Sequence, residues 1–203
     1  VAFSDDGINW KPEPEPVLEE LKSDEIIRTY DPRITVIDDT AYVCFAVDTH
    51  HGVRGGIAKT TDFNNFEVMS LSTPDNRNMA LFPEKIDGYF VRLERPMPVD
   101  GRSWLTHGFD VWLSKSPDLE FWGKSELVLK REEVPFSNCK IGPAAPPVKT
   151  KDGWLTLFHA VEHVPGFGKH GWEDKWENIY YSGIMLLDLE DPTKVIGMYD
   201  KPL

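Results

Sequence analysis

Apolar and polar residues alternate in short runs along this 203-residue chain, and the runs come in pairs. Ile34 to Ile37 is followed by Asp38-Asp39 and then by the run Tyr42 to Val47. The stretches "DPRITVIDDTAYVCFAV", "ALFPEKIDGYFVRLER" and "APPVKTKDGWLTLFHAV" each read as strand, Asp-Asp or Asp-Gly turn, strand. That is the signature of a β-hairpin. A further strand follows each pair, in "GVRGGIAKT", "FDVWLSKS" and "SGIMLLDL". Apolar spacing of helical period is nearly missing, and only "PVLEELKSD" is expected to form a short helical turn.

A second pattern recurs between the hairpins. "SDDGINW", "TTDFNNF" and "SPDLEFW" share Ser or Thr, any residue, Asp, three residues and an aromatic. Their aspartates, Asp6, Asp62 and Asp118, are spaced 56 residues apart each time. An Asx-type turn closed by an aromatic on the next strand explains the pattern. "LLDLEDPTKV" is the expected counterpart in a further unit. Units of about 50 residues with four short strands each predict a β-propeller, all-β and forming a single domain over 1–203. About three blades are represented, fewer than the usual four to eight. The chain opens at Val1 almost directly on a turn, so it is expected to be an internal part of a longer propeller.

The unit ending in "FHAV" carries an insertion at 162–178, "EHVPGFGKHGWEDKWEN". A loop of that length in a compact domain tends to be functional, and a rim or lid over the central channel is expected. It is also a candidate contact in a homo-oligomer. Deleting 163–177 should then lower the mass in solution, and an unchanged mass would count against that role.

Composition narrows the function classes. A net charge of −12 argues against nonspecific binding to nucleic acid or an anionic membrane. No apolar run approaches the ~20 residues of a membrane span. Cys44 and Cys139 offer neither metal spacing nor a disulfide framework, which suits reduced thiols in the cytoplasm. No metal and no cofactor are expected. His50-His51 lacks a third ligand at a useful spacing, "GGIAK" is not followed by a helix as a phosphate loop would be, and no nucleophile elbow occurs.

Within so acidic a chain a set of basic residues stands out. The innermost strand of each blade lines the propeller axis, so residues at the strand entries can converge there: Asp31 and Arg33, Arg77 and Lys85, and Lys140. Arg95 in "VRLERP" and His159 in "TLFHAV" are polar groups set in apolar strands, where a buried cation needs a partner. Arg77, Arg95, Lys140 and His159 on one channel predict an anion site, with arginine forks and a lysine point charge suited to phosphate. Pro32 fixes its own φ and biases Asp31 toward extended geometry, so the carboxylate is expected at a rigid strand mouth.

The segments "YDPRIT", "RNMALFPEKIDGYFVRLERP", "WLSKSPDLEFWG", "KIGPAAPPVKTKDGWLTLFHAV" and "GIMLLDLEDPTKVIG", in that order, resemble glycoside hydrolase family 130. The resemblance implies a five-bladed β-propeller, here without its first blade and ring-closing segment. It also implies an inverting phosphorylase that cleaves β-mannosides with inorganic phosphate as co-substrate. Asp31 would be the proton donor, acting through a sugar hydroxyl, with Arg33 fixing its orientation. Arg77, Arg95, Lys140, His159 and Tyr180 would bind phosphate, Tyr181 being the alternative to Tyr180. Arg33, Asp48 and Asp110 would bind or orient the substrate. The implied type is a β-1,4-mannosyl-oligosaccharide or mannosylglucose phosphorylase acting on a small oligosaccharide. "KIGPAAPP" departs from the family's "KIGAGPPP", and "FHAVE" from its "YHGV", at positions that bear on the acceptor sugar.

Two rivals remain open. A β-mannosidase would need a carboxylate base besides the acid, the two ~6.5–9.5 Å apart, and Glu162, Glu173 or Asp174 are the candidates. A non-catalytic sugar-binding propeller would use Trp154, Trp172 and Trp176 as stacking platforms.

Overall fold

The computed structural model describes residues 1–18, 21, 23–97, 109–166 and 177–203. Three sheets account for most of them. The first contains β3 (Ile26–Ile37), β4 (Thr40–Thr49), β5 (Gly52–Thr60) and β6 (Glu67–Leu71) in that order. The second is ordered β7 (Asn76–Leu81), β8 (Phe90–Pro96), β9 (Val111–Ser116) and β10 (Gly123–Leu129). The third runs β11 (Lys140–Pro143), β13 (Trp154–His163), β14 (Asn178–Leu187) and β15 (Val195–Met198), with β12 (Val148–Lys149) paired to β13. A small pair, β1 (Ala2–Phe3) and β2 (Lys11–Pro12), precedes them. Every pairing is antiparallel. A 3-10 turn, Arg131–Glu133, links β10 to β11.

The repeated turns do the same work in each unit. Asp62 accepts the N–H groups of Asn64 and Asn65 at 2.9 and 2.8 Å, while Thr60 Oγ1 accepts that of Phe63. Asp6 with Ser4, and Asp118 with Ser116, repeat the arrangement. Asp188 receives Glu190 and Asp191 in the same way but has a leucine where the others have the hydroxyl. In the three large sheets these turns join the third strand to the outermost one. The N–H donors favour the charged carboxylate, so Asp62 is held near 2 and Asp6 and Asp118 also lie below the ordinary carboxylate range.

The core lies between successive sheets, as expected for blades stacked face to face. Along β7 and its continuation, Met79 and Leu81 join Ile37, Cys44 and Ile57 of the first sheet. Ala80 and Phe82 instead join Ile141, Trp154 and Phe158 of the third. One strand thus serves two cores through its period of two. A third cluster, Phe45, Val47, Ala58 and Leu21, covers the other face of the first sheet.

Trp154 is a correction to the stacking-platform reading. It is fully buried, packs edge-on against Phe82 at 5.1 Å, and donates its Nε1–H to the Leu189 carbonyl. The β13–β14 ladder runs to His163↔Asn178, and Val164 N–H bonds Glu177 O beyond it. The inserted segment is therefore the connection of this hairpin. Most of the expected lid (167–176) lies outside the described residues, with Trp172, Glu173, Asp174 and Trp176, as do parts of the expected turn over "PVLEELKSD". Among the described residues no helix is long and apolar enough to cross a membrane.

Replacing Trp154 by alanine removes a ring shared by two sheets and should cost about 3–5 kcal/mol. Urea unfolding would show a lower midpoint at an unchanged slope.

Candidate active site

The inner strands β3, β7 and β11 each deliver charged groups to one place, and two of them do so through irregularities. Between Tyr30 and Arg33 the β3–β4 register shifts, and Asp31 takes φ 56°. Asp31 therefore sits within β3, in the left-handed region, and not in the extended geometry expected before Pro32. Proline disfavours the right-handed helical region for its predecessor, and a bulge needs one residue turned out of the pleat. Aspartate tolerates this conformation better than most residues, at a cost of about 1–3 kcal/mol. β7 repeats the device: its register shifts between Arg77 and Ala80, and the buried Asn78 has φ 58°. Bulges of this kind re-aim side chains.

The side chains so aimed meet. Arg77 and Arg95 are paired across β7 and β8, and Arg95 is almost fully buried. Arg95 donates an Nη1–H to His159 Nε2 at 3.1 Å, and its guanidinium lies over the Phe109 ring. Because guanidinium can only donate, the imidazole proton of neutral His159 must sit on Nδ1. Gly142 lies opposite His159 in the β11–β13 register, and a Cβ there would come within 2.7 Å of His159 Cε1 and 3.2 Å of Arg95 Cδ. The glycine is what lets ring and guanidinium close up. Lys140 Nζ lies over the Tyr180 ring at 5.5 Å, and the His159 and Tyr180 rings are 6.2 Å apart.

Electrostatics show the same convergence. Burial, reinforced by the positive charges of Arg95, Arg33, Lys140 and Arg77, pushes His159 down to about 3. Burial and the nearby Arg77 and Arg33 bring Arg95 down to about 10, with Tyr180 and Asp31 opposing them. Burial also lowers Arg33, which Asp31 partly offsets. The Nε–H groups of Arg77 and Arg95 are buried without a hydrogen-bond partner among the described residues. Two buried arginine donors left unsatisfied beside Lys140 and a neutral histidine suit an anion with several acceptor oxygens.

Other expectations resolve residue by residue. Arg33 does not grip the Asp31 carboxylate: it donates to the Asp31 carbonyl at 3.3 Å and reaches the Pro143 and Ala144 carbonyls at the end of β11. Its hold on Asp31 is through the backbone, where it ties the first sheet to the third. Lys85 leaves the cluster and lies over Phe90 at 4.3 Å. Asp48 binds Arg28 and Tyr30, and Asp110 accepts the Arg131 N–H at 2.8 Å. Tyr181 points away from His159, donating to Glu162 and packing on Phe136, whereas Tyr180 shares the His159 face. Gly142, Asn78, Phe109 and Tyr30 were not singled out from sequence. Each lies inside a stretch that the sequence marks, Gly142 in "KIGP", Asn78 in "RNMALFP", Phe109 in "FDVWLSKS" and Tyr30 in "YDPRIT", but nothing in those stretches announces its contacts.

The whole chain, residues 1–203, matches the family model described as beta-1,4-mannooligosaccharide phosphorylase, glycoside hydrolase family 130. This chain belongs to glycoside hydrolase family 130. It is 31% identical to a beta-1,2-mannobiose phosphorylase of Listeria innocua, over 100% of this chain and 52% of the relative. It is 33% identical to a beta-1,4-mannooligosaccharide phosphorylase of Ruminococcus albus, over 96% and 56%. The chain thus spans about half the length of these curated relatives. The solved structure of the Listeria innocua enzyme with beta-1,2-mannobiose superposes with a TM-score of 0.81 at 30% identity, over 100% of this chain and 52% of that one. A family 130 structure from work on glycoside hydrolases that target beta-1,2 mannosidic linkages in Candida mannan shares the fold, with a TM-score of 0.76 at 19% identity, over 99% and 60%.

The depressed His159 sets a pH window. The unfolded chain takes up this proton near pH 6.5, the folded one only near 3, so this contribution to stability is fully present above pH 6.5 and is lost as pH falls toward 3. The His159 Cε1 proton should show no titration between pH 5 and 8 by NMR; a midpoint near 6.5 would contradict the arrangement.

Proposed function

We propose that the protein carrying this chain is an inverting phosphorylase of β-mannosides, producing α-mannose 1-phosphate. The observation that supports it best is the pair of buried Nε–H groups on Arg77 and Arg95, unpartnered among the described residues and in the same cluster as a carboxylic side chain, Asp31. A hydrolase must activate water with a base, whereas phosphate is already a nucleophile and needs positioning and charge neutralisation. One acid and a cationic cradle then suffice.

In this reading Arg77, Arg95, Lys140, His159 and Tyr180 bind phosphate beside the anomeric carbon. A phosphate oxygen forms the new bond to that carbon as the glycosidic bond on the opposite face breaks. The electron pair leaves with the departing oxygen, which takes a proton from a mannose hydroxyl that Asp31 re-protonates. The bulge holds Asp31 in place, and Arg33 fixes its backbone. Asp48 and Asp110 act from behind, through Tyr30 and the Arg131 turn. No metal or cofactor enters the reaction.

The competing hydrolase loses one of its candidate bases, since Glu162 accepts the Tyr181 hydroxyl on the side of β13 away from His159. The β-1,4-linked substrate expected from sequence stands beside the β-1,2 linkage named for the Listeria relative, so both linkages belong in the test. β-1,2- and β-1,4-mannobiose would be incubated with and without phosphate and followed by phosphorus and proton NMR. Phosphate-dependent α-mannose 1-phosphate is expected. Asp31→Asn should lower kcat by about 10²- to 10⁴-fold. Arg95→Ala should raise the KM for phosphate at least about tenfold. Free mannose formed at the same rate without phosphate would overturn the proposal.

A further inference from the structure

Arg77 differs from Arg95 in what holds it. Arg95 is packed in the core, seated by His159 and Phe109. Among the described residues the Arg77 side chain has one hydrogen-bond partner, the Tyr30 hydroxyl, at 3.1 Å. That hydroxyl in turn donates to Asp48 Oδ1 at 2.7 Å, and Asp48 Oδ2 accepts the Arg28 Nε–H at 2.6 Å. The Arg28 guanidinium also lies over the Tyr30 ring at 5.0 Å.

A phenol has one hydrogen to give and lone pairs to receive. Because Asp48 takes the hydrogen, a lone pair is left facing Arg77, and the order of the chain is fixed: Arg77 to Tyr30 to Asp48. Burial and the Asp48 carboxylate both raise Tyr30 above its ordinary value, so the hydroxyl keeps its proton at any working pH. Tyr30 is also the residue before Asp31, at the start of the register shift. Tyr30 and Arg33 thus flank Asp31 and reach different sheets, Tyr30 the second through Arg77 and Arg33 the third through Pro143 and Ala144.

We infer that Tyr30, backed by Asp48, is a positioning residue that holds the Arg77 fork in the anion cradle and ties its placement to the backbone of Asp31. The inference rests on the anion-site reading of the proposed function. It assigns Tyr30 no contact with substrate. Its effect passes through Arg77, which separates it from a residue that merely packs.

The test is calorimetric titration of inorganic phosphate into the protein without sugar, for wild type, Tyr30→Phe, Arg77→Ala and the double variant, with thermal midpoints measured alongside. Losing a hydrogen bond to a charged group should weaken phosphate binding about tenfold in Tyr30→Phe. The thermal midpoint should move little. In the Arg77→Ala background the same change should have no further effect, because the cycle is then closed on a missing partner. Asp48→Asn, which keeps an acceptor for the hydroxyl, should bind more tightly than Asp48→Ala. Wild-type affinity in Tyr30→Phe would overturn the inference, and so would a Tyr30→Phe penalty that persists without Arg77. Turnover of β-mannobiose on the same samples judges the reaction separately. Weakened phosphate binding without phosphorolysis in wild type would sustain the role of Tyr30 and defeat the proposed reaction. Phosphorolysis with an unaffected Tyr30→Phe would do the reverse.

Discussion

The crowding of positive charge around the buried Arg95, by the half-buried Arg33, Arg77 and Lys140, is the constraint on which the rest depends. Arg77, Arg95, Arg33 and Lys140 lie close enough to shift one another or His159. Desolvated cations repel, and each is costly to bury without a partner. The fold offsets part of that cost with neutral acceptors: Tyr30 for Arg77, His159 for Arg95, main-chain carbonyls for Arg33. It leaves part unpaid in the two unpartnered Nε–H groups. In the proposed reading a phosphate dianion completes the arrangement. Histidine has to be neutral for this to work, and burial, reinforced by the surrounding positive charge, keeps it so.

The scaffold serves that cluster by rigidity. Sheets packed face to face place three inner strands around one point, and the Asx turns close the hairpins at their outer edge. Bulges in β3 and β7 then break the regular alternation where side chains must leave the pleat. Both use a left-handed Asp or Asn, the residue types that accept it most readily. Elsewhere left-handed residues such as Asp39, Phe63 and Leu119 sit in turns, whereas Asp31 and Asn78 take this conformation inside strands, at the place where chemistry is proposed.

Much of this was legible in the chain. Hairpins follow from apolar runs broken by Asp-Asp and Asp-Gly, and the Ser/Thr-x-Asp spacing specifies its hydrogen bonds almost atom by atom. The basic set could be assembled because propeller blades aim their inner strands at one axis. What stayed hidden were features set by neighbours in space. Trp154 reads as a platform until Phe82 and Leu189 enclose it, and Lys85 reads as a channel residue until Phe90 lies beneath it. Local propensity put Asp31 in extended geometry, and sheet register overrode it. Arg33 finds its acceptors about 110 residues away in sequence, and nothing near it announces them.

The central claim is that the unsatisfied arginine edges are the seat of phosphate. A crystal structure of the protein grown or soaked with inorganic phosphate tests it most directly. One phosphate should lie within hydrogen-bonding distance of both Arg77 Nε and Arg95 Nε, with Lys140 and Tyr180 alongside. A phosphate bound elsewhere, with both Nε–H groups still unpartnered or paired to a carboxylate, would contradict the account.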